Sequence, residues 1–271
     1  MMTKKMAFVG AGSMAESILS GILDSGFLAK EDILVTNKSD FERLEHLERQ
    51  YQIQYVEDKQ ETVTDARIVL LAVKPYDMEA AIASIRDYLN TDQLLISVAA
   101  GVSTDTISEM LGREIPVIRA MPNTSAAAGE SATAVTRGRL ATEEHLHTAL
   151  ELFRTIGTAT EVAEEDMHTV TAIAGSGPAY VYYLVEVMEE AAVAAGLGKQ
   201  TAHELLIQTI AGAGEMLKSS GLDPAQLRKN ITSPGGTTQA GLEALDEGEF
   251  QKAVISCVET ARERSIELGK K

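Results

Sequence analysis

Cysteine occurs once in the 271 residues, as Cys257. A lone thiol forms no internal disulfide, so a reducing compartment suits the chain. Its place in an apolar helical pattern reads as a packed thiol rather than a nucleophile. Positive charge is also scarce: 24 Lys and Arg face 40 Asp and Glu, a formal net charge of -16. Such a surface repels phosphate backbones and anionic headgroups, which argues against nucleic acid as a partner. No apolar run approaches the length needed to span a bilayer, so no membrane partner is expected. Neither an apolar h-region nor a small-residue cleavage site follows Met1, so the expected location is the cytoplasm. There is no G-x-S-x-G elbow to support hydrolysis. His46, His145, His147, His168 and His203 are dispersed, and the near pair His145 and His147 diverges on a helix, so no metal site is expected.

What is present is ordinary globular material, 45% apolar and 24% charged, in a length suited to one large domain or two moderate ones. Short apolar runs at Met6–Val9, Ile33–Thr36, Ile68–Val73, Leu94–Ala99 and Pro116–Ala120 alternate with amphipathic stretches. That rhythm predicts strand-helix units and a doubly wound parallel sheet. Met14, Ile18 and Ile22 recur with Ala15, Leu19 and Leu23 as a helical stripe that Gly26 stops.

From about Glu161 a 3.6-residue period takes over. Helices are predicted over Ala179–Ala195, over His203–Lys218 and from Glu249 to Gly269, the last with Phe250, Val254, Cys257, Val258, Ala261 and Ser265 on one face. An α/β domain over residues 1–160 and an all-α domain over 161–271 are therefore expected. A helical region of this size, poor in aromatics, has trouble burying its apolar faces alone, so pairing with a second copy is the natural remedy.

Gly10-Ala11-Gly12-Ser13-Met14-Ala15 follows the first predicted strand and opens the first predicted helix. This is the G-x-G-x-x-A pattern in which glycines admit a pyrophosphate to the backbone and the helix N-terminus holds it. Any tight strand-to-helix turn also welcomes glycine; the strand-helix context is what favours a dinucleotide. An NAD site ends its second strand on Asp or Glu, whereas here Asn37-Lys38-Ser39 offers donors and a positive charge, which favours NADPH while leaving NADH open. Ala72-Val73-Lys74-Pro75 and Ser97-Val98-Ala99-Ala100-Gly101 close further strands, where ligands line doubly wound sheets.

In the helical half, Gly175-Ser176-Gly177-Pro178-Ala179-Tyr180 precedes a long helix. The run Asn230-Ile231-Thr232-Ser233-Pro234-Gly235-Gly236-Thr237-Thr238 opens another. The second can offer backbone amides to a carboxylate and hydroxyls to a nitrogen, or serve as plain capping.

Taken with Arg119-Ala120-Met121-Pro122-Asn123-Thr124, these segments make the sequence resemble the pyrroline-5-carboxylate reductases nearly end to end. The resemblance implies a Rossmann domain plus a helical dimerisation domain, with the active site at the dimer interface and, in some members, rings of dimers. It implies hydride transfer from NAD(P)H to the C=N bond of 1-pyrroline-5-carboxylate, giving L-proline. It places phosphates on Gly10 to Ala15, the adenosine ribose near Asn37 and Lys38, and the nicotinamide half near Ala72, Val73, Lys74, Pro75, Ala99 and Gly101, with Asn230 also touching cofactor. Substrate would be held by Ser233, Gly236, Thr237 and Thr238 with Glu164 nearby, the Thr238 hydroxyl bonding the ring nitrogen as the catalytic contact. Lys59 stands where many members carry Asn, and Ser125 where Pro often follows Asn-Thr.

A protonated cyclic imine is already electrophilic, so a site of small polar residues suffices and no strong acid is required. Two rivals share the scaffold. A hydroxyacid dehydrogenase needs a catalytic lysine early in the helical domain, yet no lysine lies between Lys74 and Lys199. A non-catalytic NADP sensor would have no use for the glycine-rich Ser233–Thr238 loop.

Overall fold

The computed structural model describes residues 5–269; the extreme ends of the two expected domains, 1–4 and 270–271, lie outside the described residues. The chain divides into two compact units, Met1–Ser176 with Ala261–Lys271, and Gly177–Thr260.

The first unit is built on eight strands: β1 (Met6–Val9), β2 (Ile33–Thr36), β3 (Gln54–Tyr55), β4 (Ile68–Leu71), β5 (Leu94–Ser97), β6 (Val117–Met121), β7 (Ser131–Arg137) and β8 (Gly157–Glu161). Their order across the sheet is β3-β2-β1-β4-β5-β6-β7-β8. Helices α1 (Ser13–Asp24), α2 (Phe41–Tyr51), α3 (Lys59–Thr64), α4 (Met78–Ala83), α5 (Thr104–Leu111), α6 (Glu143–Arg154) and α7 (Met167–Val170) supply the connections and cover.

Along β1 the faces alternate. Met6 and Phe8 join Ile18, Leu44, Leu47 and Phe153 on one side, and Ala7 and Val9 join Met78, Ile82, Ile107 and Leu111 on the other. Burial on both faces is why the central strands read as unbroken apolar runs rather than alternating ones. The strand order reverses beside β1, the place where open α/β sheets leave a crevice beyond the strand C-termini.

All neighbouring pairs are parallel except β6 and β7. Residues 122–130, which join those two strands, are too few for a helical crossover, so the chain must turn back. A 3-10 turn over Thr124–Ala128, closed by Gly129 at φ 71°, makes that reversal.

The second unit contains α8 (Gly177–Ala194), α9 (Lys199–Ser219), α10 (Pro224–Asn230), α11 (Thr237–Glu247) and the beginning of α12 (Phe250–Gly269). No residue of α8, α10 or α11 is buried, and α9 buries only Ala202. Val181, Leu184, Val187, Leu205 and Ile207 are all exposed, a large apolar surface for one chain to leave in water. The expected packing of Cys257 is corrected by this: the thiol is exposed, as are Phe250 and Val254 of its stripe, because the chain itself supplies no cover for that face. Among the described residues, no helix is long and apolar enough to cross a membrane.

Candidate active site

The turn after β1 requires glycine at its first position. Gly10 adopts φ 110°, and a Cβ there would stand 2.4 Å from the Ala72 carbonyl oxygen, because β1 and β4 lie side by side. The Gly10 amide donates to the Thr36 carbonyl at 2.8 Å, tying the turn to the end of β2.

Gly12 is the N-cap of α1 and brings no side-chain acceptor, so none of the orphan amides of the first turn receives a side-chain cap. A Cβ on Gly12 would meet nothing within 4 Å. Bare amides, the positive end of the helix dipole and open space together fit the phosphates of a dinucleotide.

A cleft of about 520 Å³ opens at this turn. Of the expected residues it is lined by Gly10, Ala11, Gly12, Ser13, Asn37, Lys38, Lys59, Ala72, Val73 and Lys74. Three side-chain ammonium groups thus border it. Lys38 lies 3.6 Å from Asp77, Lys59 opens α3 after its cap Asp58, and Lys74 sits 5.9 Å over the Tyr76 ring. Asn37 spends its side chain on its own loop, donating to the Asp40 carbonyl at 2.6 Å and accepting from the Asp40 amide at 3.1 Å.

Met14, Ala15, Pro75, Ala99 and Gly101 lie outside that lining. Ala15 is buried in the core, where its small side chain lets α1 approach the sheet, and Met14 packs against the same core. Pro75 opens a 3-10 turn, and Ala99 is buried on the other face of the sheet. Gly101, at φ 80°, meets the last turn of α12; a Cβ on Gly269 would come within 2.4 Å of the Gly101 carbonyl oxygen.

Glu164 is held from two sides. Its Oε1 accepts from Arg119 Nη1 at 2.6 Å, and its Oε2 accepts from the Thr104 hydroxyl at 2.8 Å at the N-terminus of α5. Arg119 is 1% exposed, and its Nε and Nη2 have no partner among the described residues. His168 stands nearby with Nδ1 2.9 Å from the Ser265 hydroxyl. Burial, then the charges of Arg119 and Arg262, hold the His168 pKa below its ordinary value, with Glu164 opposing.

In the second unit, Gly235 at φ 71° folds the Ser233–Thr238 loop so that the Gly236 amide donates to the Ser233 carbonyl at 3.0 Å. A Cβ on Gly236 would lie 2.6 Å from the Ser233 hydroxyl and 3.1 Å from the Ser233 carbonyl oxygen, so a side chain there would displace the Ser233 hydroxyl. Thr237 and Thr238 are the first residues of α11, whose N-cap Gly236 again supplies no side-chain acceptor. Gly198 opens α9 in the same bare manner without hydroxyls grouped behind it. Asn230 ends α10, its Oδ1 accepting from Gln226 at 2.6 Å.

Sequence reasoning assigned no role to two charged groups. Arg43, in the first turn of α2, lines the cleft with Glu16, and the two pair directly. Its signal is the Asp40-x-x-Arg43 spacing, in which the Asp40 carboxylate caps the Arg43 amide at 3.0 Å. Arg119 sits inside the apolar strand Val117–Met121, and an arginine in such a run was its signal.

Comparison with known proteins agrees with this geometry. The family model described as pyrroline-5-carboxylate reductase dimerisation matches residues 164–268, and that described as NADP oxidoreductase coenzyme F420-dependent matches residues 5–101. Pyrroline-5-carboxylate reductase 2 of Bacillus subtilis is 51% identical over 265 residues, covering 98% of this chain and 95% of the relative. The Staphylococcus haemolyticus pyrroline-5-carboxylate reductase is 39% identical, with 98% of each chain covered. Among solved structures, a pyrroline-5-carboxylate reductase from Coxiella burnetii superposes with TM-score 0.93 at 33% identity, over 99% of this chain and 100% of the other. The Plasmodium falciparum pyrroline carboxylate reductase, solved with NADP bound, gives 0.89 at 32% identity with 99% of each chain covered. With 51% identity over 98% of its length to one such enzyme, the chain belongs to the pyrroline-5-carboxylate reductase family.

Proposed function

We propose that this chain reduces 1-pyrroline-5-carboxylate to L-proline with NADPH as the preferred hydride donor, in the cytoplasm. The observation that carries the cofactor half of this reading is the uncapped N-terminus of α1 opening on a lysine-bordered cleft. Such a cleft neutralises an extra phosphate and offers no acidic side chain at the end of β2.

The division of labour follows residues 1–160 for cofactor and 161–271 for substrate and self-association. In the first part, Gly10 to Ser13 present backbone to the pyrophosphate, with Met14 and Ala15 continuing the helix behind it. Asn37, Lys38 and Lys59 take the adenosine end; Ala72, Val73, Lys74, Pro75, Ala99 and Gly101 take the rest, and Asn230 of the second part also touches cofactor. A bound NADPH would supply the hydride, which adds to the imine carbon of the ring.

The residues of the substrate loop bind and orient. The backbone amides of Thr237 and Thr238, freed by Gly236, donate to the substrate carboxylate with help from the Ser233 hydroxyl. The Thr238 hydroxyl holds the ring nitrogen, whose proton stays in place as the C=N bond becomes single. No residue has to deliver a proton to a developing alkoxide, so positioning carries most of the rate. Glu164, braced by Arg119 and Thr104, keeps a part-exposed carboxylate for the iminium charge. The exposed apolar faces of α8 and α9 pair with a second copy, and rings of such dimers form the larger assembly.

The test is a steady-state assay of the purified chain with 1-pyrroline-5-carboxylate and either NADPH or NADH, monitored by cofactor absorbance and by proline formation. Higher kcat/KM with NADPH supports the reading; turnover of a 2-hydroxyacid instead, or NADPH binding with no proline formed, overturns it.

A further inference from the structure

We infer that Arg43 is a positioning residue for the dinucleotide: it masks the Glu16 carboxylate and draws the Ala11 carbonyl toward itself. The inference rests on the cofactor reading above and goes beyond it.

Glu16 lies in the first turn of α1 and lines the same cleft as the glycine turn. An acid there suits the helix dipole, but a bare carboxylate repels a ligand that carries a pyrophosphate and a 2'-phosphate. Arg43 answers both demands. Its Nη2 pairs with Glu16 Oε2, and its Nε donates to the Ala11 carbonyl at 2.8 Å. The other carboxylate oxygen accepts from the Tyr51 hydroxyl at 3.3 Å and lies 3.9 Å from His46 Nε2. Burial, then the Glu16 charge, raise the Tyr51 pKa above its ordinary value, which keeps the hydroxyl a donor.

The fork does more than cancel charge. In a trans peptide the carbonyl and the following N–H point in opposite directions. Fixing the Ala11 oxygen on Arg43 therefore also fixes the direction of the Gly12 amide, in the turn that meets the phosphates. A planar guanidinium spans a carboxylate and a carbonyl at once, whereas an ammonium offers a single point of charge. A purely structural salt bridge, three-quarters out of water on each side, would act on stability and leave cofactor affinity alone.

Calorimetric titration of the intact protein with NADPH, without imine, tests this, alongside thermal midpoints. Arg43→Ala is expected to raise Kd by about tenfold or more, a factor worth ~1.4 kcal/mol. Adding Glu16→Gln to that variant is expected to recover part of that loss and not all of it, because the exposed charge is gone while the Ala11 carbonyl stays unheld. Glu16→Gln alone, which keeps every backbone contact, is expected to bind NADPH several-fold more tightly. An Arg43→Ala variant with unchanged Kd overturns the inference; a double variant that binds NADPH no better than Arg43→Ala overturns the masking of Glu16, and one that binds as tightly as the unmodified chain overturns the part played by the Ala11 carbonyl. Failure of the unmodified chain to bind NADPH at all overturns the cofactor reading itself, and this inference with it.

Discussion

Gly10 and Gly12 stand two residues apart in one motif, yet the structure assigns them opposite duties, which a pair of alanine substitutions separates. At Gly10 the added methyl meets the Ala72 carbonyl oxygen at 2.4 Å, the Ala72 carbonyl carbon at 2.8 Å and Val73 at 3.1 Å, on a backbone at φ 110°. The strained conformation costs about 1–3 kcal/mol. Forcing a strand neighbour aside adds roughly 1–3 kcal/mol more. A domain of this size loses about 2–4 °C of Tm per kcal/mol, so Gly10→Ala is expected to lower Tm by roughly 5–20 °C. At Gly12, φ is -72° and nothing lies within 4 Å of the new methyl. Losing a glycine N-cap costs ~1 kcal/mol at most, so Tm should fall by no more than about 4 °C. On the proposed cofactor site the methyl would instead occupy the space a phosphate needs, and NADPH affinity should drop by about tenfold or more. Differential scanning fluorimetry and calorimetric titration read the two effects independently. If Gly12→Ala destabilises as much as Gly10→Ala and binds NADPH normally, the account of this turn is wrong.

Thr238→Ala should lower kcat/KM for the imine by roughly one to two orders of magnitude, the worth of a hydrogen bond to a charged group, while leaving NADPH affinity alone; unchanged steady-state kinetics would remove Thr238 from the substrate. Glu164→Gln strips the single carboxylate from a 1% exposed arginine and should cost about 3–5 kcal/mol in urea unfolding, because a buried charge is left uncompensated. A second change of Arg119→Met should return much of that loss, and the pair's unfolding free energies decide it. His168 has a folded pKa below the ordinary 6.5, so the unfolded chain takes up its proton first as pH falls. Its contribution is complete above about pH 6.5 and is lost as pH drops through the folded pKa. The fall in urea midpoint from pH 7.5 to pH 5.0 should therefore be smaller for His168→Asn than for the unmodified chain; an equal fall would refute the assignment.

The strands that bury both faces were legible because continuous apolar runs leave few other readings. β1 and β2 match their expected bounds, and β4, β5 and β6 differ only at their ends. β3 escaped because Gln54–Tyr55 is two residues long, and β8 because Gly157–Glu161 is half-polar at the sheet edge. β7 escaped because its threonines and serine are buried through hydrogen bonds, such as Ser131 with Thr133 at 3.0 Å, rather than by hydrophobicity. The glycine turn was legible since strand, glycines and helix adjoin in sequence. Arg43 and Arg119 were not, because what matters about them is what lies beside them in space: Glu16 is 27 positions from Arg43, and Glu164 is 45 from Arg119.

The return of residues 261–269 to the first unit has a bearing on how the protein is made. With Gly177–Thr260 interposed in the sequence, the pieces that complete the first unit, Ser265 against His168 and Gly269 against Gly101, are synthesised only after the whole second unit. Vectorial synthesis thus cannot finish the first unit ahead of the second, and a nascent chain halted near Thr260 carries a first unit without the Ser265 and Gly269 contacts.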